Sequence, residues 1–146
     1  MKNVGLIAFF LLCSSMIAMA GETPSPPGAK VYFVNLADGA TVSSPVKVVF
    51  GLSSMGVAPA GTEKVNTGHH HMLIDRPALG KGPDGNEEFD ANIPSDEHHV
   101  HFGKGQTEVL LKLTPGRHTL QLVLGDQNHI PHKPAVVSPV ITVTVK

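Results

Sequence analysis

The chain is poor in several things at once. It holds one cysteine, one tyrosine and no tryptophan, and aromatic residues make up only 5 % of it. The single cysteine, Cys13, directly follows an apolar N-terminal run, so everything after residue 13 is free of thiols and disulfides. This excludes a disulfide-stapled miniprotein and a Cys-ligated zinc or copper site. Neither sign of charge dominates. Eleven basic against twelve acidic residues leave a net −1 with histidines neutral, so nothing points to nucleic acid or to a basic membrane-binding helix. Hydrolase elbows of the G-x-S-x-G type and phosphate loops of the G-x-x-x-x-G-K-[ST] type are missing as well.

What is present begins with Met1-Lys2-Asn3, an apolar block from Val4 to Leu12 and the small-residue pattern Ala18-Met19-Ala20. A basic start, a short apolar run and an A-x-A site describe a signal peptide over residues 1–20, cleaved before Gly21. The run is too short for a membrane span. Cleavage removes Lys2 and Cys13, leaving ten basic (11 − 1) against twelve acidic groups, a net −2. The expected location is the periplasm or the exterior, with no membrane association after cleavage. Residues 21–29 (GETPSPPGA) read as a flexible Pro-rich leader, and residues 30–146 as one domain.

Within that domain the pattern is of strands. Val46, Val48, Phe50 and Leu52 alternate with other residues along one face, and Leu120, Leu122 and Leu124 do the same further on. Asp38-Gly39 and Thr114-Pro115-Gly116-Arg117 are turns. A last strand over Val136–Val145 is interrupted by Pro139. About seven short strands, frequent turns and no helical period predict an all-β fold, an immunoglobulin-like antiparallel β-sandwich, with a cupin-type barrel as the alternative. The segment Arg76–Glu97, with three prolines, three glycines and six acidic residues, reads as a long functional or mobile loop. Asp84, Asn86, Glu88 and Asp90 alternate within it, but the glycine and closing glutamate of a calcium loop are missing.

Six of the nine histidines fall in two runs, His69-His70-His71 and His98-His99-Val100-His101. In a strand, residues i and i+2 share a face about 7 Å apart, so an H-x-H pair can chelate one metal. The candidate ligands are therefore His69 with His71 and His99 with His101, assisted by His129 or His132 from the loop after residue 125. Neutral imidazoles without thiolate suit a divalent transition metal, copper or zinc above others. After cleavage only Met55 and Met72 remain, too few for a methionine-rich copper carrier. His70 and His98 share faces with apolar side chains and read as packed, and His118 reads as structural. Asp75, Asp126 or Glu108 are candidates to orient a ligand imidazole.

The segments Val31–Leu52, GHHHMLID at 68–75, HHVHFGKGQTE at 98–108, PGRHTLQLVLGD at 115–126 and NHIPH at 128–132 resemble the DUF4399 family. That family comprises small bacterial exported domains of unassigned function, and the resemblance implies a periplasmic domain without implying an activity. His99-Val100-His101-Phe102-Gly103 also looks like the H-x-H strand of Cu,Zn superoxide dismutases, whose disulfide and metal-bridging loop have no counterpart here. The functional expectation is a histidine-rich exported domain that binds copper or zinc for buffering, delivery or tolerance. Two other readings use the same cluster: a metal-dependent enzyme, and a pH-tuned domain that binds an envelope protein.

Overall fold

Buried and exposed positions alternate at the start of β3 (Val46–Ser53), the central strand of the smaller sheet. Val46, Val48 and Phe50 are buried while Lys47 is exposed. One edge of β3 pairs antiparallel with β1 (Lys30–Phe33) and the other with β7 (Glu108–Leu111), giving a three-stranded sheet in the order β1-β3-β7. The computed structural model describes residues 23–146. The signal peptide expected over residues 1–20 lies outside the described residues.

The second sheet is larger. Its centre is β8 (Gly116–Gly125), antiparallel to β5 (Thr67–Ile74) on one side and to β9 (Ile141–Val145) on the other. Two-residue strands extend it by parallel pairing, β2 (Thr41–Val42) on β9 and β4 (Gly56–Val57) on β5. The free edge of β5 beyond β4 takes β6 (His99–His101) in antiparallel register. Val136 to Ser138 run beside β8 before Pro139, where the Leu124 and Ser138 amides donate across the pair. Proline has no amide to donate, so the ladder breaks there and resumes as β9.

The inner faces of the two sheets share one core. Val31, Val48 and Phe50 of the small sheet meet Met72, Leu120, Leu122 and Val143 of the large one. The fold is thus all-β, built of antiparallel sheets with short parallel additions. Among the described residues the only helical element is a 3-10 turn, Gly85–Phe89. No helix among them is long and apolar enough to cross a membrane.

Two stretches differ from their sequence expectation. The described part of the leader is not free. Ser25 donates to the Lys133 carbonyl, Lys133 donates back to Thr23, and the Thr23 hydroxyl donates to Asp126 at 2.6 Å. The Ser25 hydroxyl donates to the Pro134 carbonyl at 2.7 Å, so both polar side chains, Thr23 and Ser25, bond to the chain after β8. The Arg76–Glu97 segment is packed rather than loose. Leu79 and Ile93 are buried with Leu73 and Val123, and Phe89 packs beside them. These residues form a second, smaller core on the outer face of the large sheet, so β5 is covered on both sides.

Candidate metal centre

Covering both sides of β5 creates two different environments for its histidine triplet. All three side chains are fully buried. The two-residue period sends His70 inward with Met72 and Ile74, and sends His69 and His71 outward with Leu73. His70 packs on Phe50, ring centroids 5.0 Å apart, and its Nδ1 faces the Gln106 carbonyl at 3.3 Å. Burial pushes its pKa down to about 4.

The outward pair acquires two more imidazoles. The β5–β6 register sets His101 opposite His71 and His99 opposite Leu73, so only one member of the second H-x-H pair arrives beside the first. At the end of β8 the Asp126 carboxylate accepts the Asn128 and Ile130 amides at 2.8 and 2.9 Å, which folds the chain back over the sheet. His129 sits at the apex with φ 65°, in the left-handed region where histidine is among the commoner non-glycine residues. Its Nδ1 lies 3.0 Å from His69 Nε2, and His71 Nε2 lies 3.0 Å from the same nitrogen. His69, His71, His101 and His129 each place one ring nitrogen within 4.8 Å of all the others.

Two glycines make this crowding sterically possible. A Cβ on Gly125, which pairs with His69, would lie 2.7 Å from His71 Nε2. One on Gly103 would lie 2.3 Å from the His101 ring. Real Cβ atoms do not approach ring atoms so closely, so both imidazoles occupy space that only glycine leaves open. The sequence carries these residues in plain view, as HFG and LGD, but nothing in their local pattern says which rings they make room for.

The electrostatics favour neutral rings. Burial first, then the neighbouring His129 and His101, push the His69 pKa down to about 4, against an upward pull from Asp126. Burial and the three surrounding cluster imidazoles push His71 to about 2. His101 is lowered by burial and by His129. Buried nitrogens of His69 (Nδ1), His71 (Nδ1) and His101 (Nε2) have no hydrogen-bond partner among the described residues. Neutral imidazole is the ligating form. A tetrahedral ion with metal–nitrogen bonds of 2.0–2.1 Å sets its ligand nitrogens roughly 3.3 Å apart, within the spread found here.

The remaining expected ligands lie elsewhere. His99 shares the outward face, but its Nδ1 donates to Asp96 at 2.7 Å and its Nε2 receives the Arg76 guanidinium. Both nitrogens are thus engaged away from the cluster. His132 is held between the carbonyls of Leu124 and Thr67 at 3.3 and 3.1 Å. His98 bonds the Ile74 carbonyl at 2.9 Å, and its side chain is 48 % exposed rather than packed. Of the acids considered as orienting groups, Asp75 binds His118 and Glu108 pairs with Lys47 at the surface. Asp126 acts on the cluster through the backbone of the His129 loop.

The chain matches the model of DUF4399, a domain of unknown function, over residues 48–146, and it belongs to that family. All four converging histidines fall inside the matched span. No curated protein and no solved structure matches the chain.

Proposed function

We propose that this DUF4399 domain is an exported metal-binding module that holds one copper or zinc ion through His69, His71, His101 and His129, for buffering, delivery or tolerance. The observation that carries the reading is the convergence of four ring nitrogens within 4.8 Å, with burial lowering the pKa of His69, His71 and His101. Four protein nitrogens fill a tetrahedral shell, which favours holding an ion over catalysis at an open position. Export rests on the basic start, apolar run and Ala18-Met19-Ala20 of the N-terminus. For the finer fold we propose an immunoglobulin-like sandwich. The order β1-β3-β7 facing β9-β8-β5 corresponds to strands A-B-E facing G-F-C of that architecture.

Calorimetric titration with Cu(II) and Zn(II) tests the assignment, comparing the protein with a His71→Ala/His101→Ala variant. The expected result is one ion per chain, with affinity in the double variant reduced by more than about 100-fold, beyond what outer-shell changes cost. Equal and weak binding by the two proteins overturns it. A bound ion that retains an exchangeable water, read by relaxation of solvent protons on the copper form, would move the reading from carrier to enzyme.

A further inference from the structure

The Arg76–Glu97 segment does more than cover β5. Between it and the start of β6 lies a cleft of ≈ 350 Å³, within the range of small-molecule sites. Its apolar surface comes from Pro77, Leu79, Ile93 and Pro94, of which Leu79 and Ile93 are also buried in the small outer core. The polar part is unbalanced. Arg76 is the one fixed cation of the lining, against the carboxylates of Asp84, Glu87 and Glu88, which leaves −2 with histidines neutral.

That cation is also fully committed. Arg76 pairs with Glu88, the two side chains being 12 % and 10 % exposed, and its other terminal nitrogen donates to His99. The second Glu88 oxygen accepts the Gly80 amide at 2.6 Å. Asp84 precedes the 3-10 turn without capping it. Neither the Asp84 nor the Glu87 carboxylate has an ion-pair or hydrogen-bond partner among the described residues. The cleft therefore joins an apolar floor to two free negative charges on one rim, with its positive charge neutralised internally.

We propose that this cleft binds a small organic cation, an ammonium or amidinium group on an apolar body, with Asp84 and Glu87 receiving the charge and Leu79 and Ile93 the body. The cleft shares no lining residue with the four converging histidines and needs no metal. The test is an amide chemical-shift titration of the protein in chelating buffer with three probes of one ring and three charges: benzylamine, benzyl alcohol and benzoate. Benzylamine is expected to move the Leu79, Ile93 and His99 amides, with the other two probes much weaker. An Asp84→Asn/Glu87→Gln variant, altered only at exposed positions, should bind benzylamine about five-fold more weakly, the scale of two exposed charge contacts. Equal binding of benzylamine and benzyl alcohol, unchanged binding by the variant, or no movement of these amides with any probe overturns the proposal.

Discussion

The two ends of β8 each bury histidine, and they treat it in opposite ways. Near the start, His118 is 8 % exposed and has an oxygen at each ring nitrogen: Asp75 at 2.7 Å on Nδ1 and the Thr114 carbonyl at 2.8 Å on Nε2. Burial opposes its charge, but the Asp75 and Thr114 hydrogen bonds outweigh burial and raise its pKa. Near the end, beside Gly125, the neighbours of His69 and His71 are other imidazoles, and their pKa values fall. Burial alone therefore does not distinguish a ligand from a structural histidine. The chemistry of the atoms facing the ring does.

Acid should separate the two ends most. His69 and His70 hold folded pKa values near 4 and His71 near 2, against 6.5 when unfolded. Their contribution is complete above 6.5 and is lost as pH falls toward those folded values, because the unfolded chain takes up the protons first. Between pH 7 and pH 5 the metal-free protein should lose on the order of 5 kcal/mol. His118 has the opposite sign, contributing fully below 6.5 and fading as pH rises through its raised value. Urea midpoints measured against pH, for the protein and a His118→Gln variant, check both slopes. A flat profile below pH 6.5 would remove the contrast.

Metal comes next. At free zinc 100-fold above its dissociation constant, the protein should gain about 2.7 kcal/mol. That gain should vanish in the His71→Ala/His101→Ala variant and persist in His118→Gln, as thermal melts with and without chelator will show. Gly125→Ala is the finer probe of the same end. Its methyl group would displace the His71 ring, so metal affinity should fall about ten-fold, read by competition with a chromophoric chelator. The smallest effect is expected at the other end. His118→Gln should cost about 1 kcal/mol in denaturant unfolding at pH 6, a charged hydrogen bond discounted because the Asp75 side chain is 38 % exposed.

Much of this contrast was legible from residue order. The two-residue period alone separated His69 and His71 from His70, and the turn at Thr114–Arg117 placed His118 at a strand start. The period also put His99 and His101 on one face, and there its authority ended. Which of them meets His71 depends on the register of a three-residue strand against β5, a tertiary choice with no local signature. His129 and His132 looked equivalent in their loop. They were told apart by the turn that Asp126 holds and by the carbonyls of Thr67 and Leu124 that engage His132. The outer core was hidden for a related reason: Leu79, Phe89 and Ile93 are too widely spaced to form a periodic pattern.

One hydrogen bond touches both halves of the outer face. The Ile93 amide, at the floor of the cleft, donates to the carbonyl of His129 at 2.8 Å, while the ring of the same histidine points into the imidazole cluster. His129 is thus tied to the floor of the cleft by its backbone and to the cluster by its ring, and any coupling between the two sites would run through it. Thermodynamic linkage then requires reciprocity: if an ion on His129 changes the affinity of the cleft by some factor, a cleft ligand changes the affinity for the ion by the same factor.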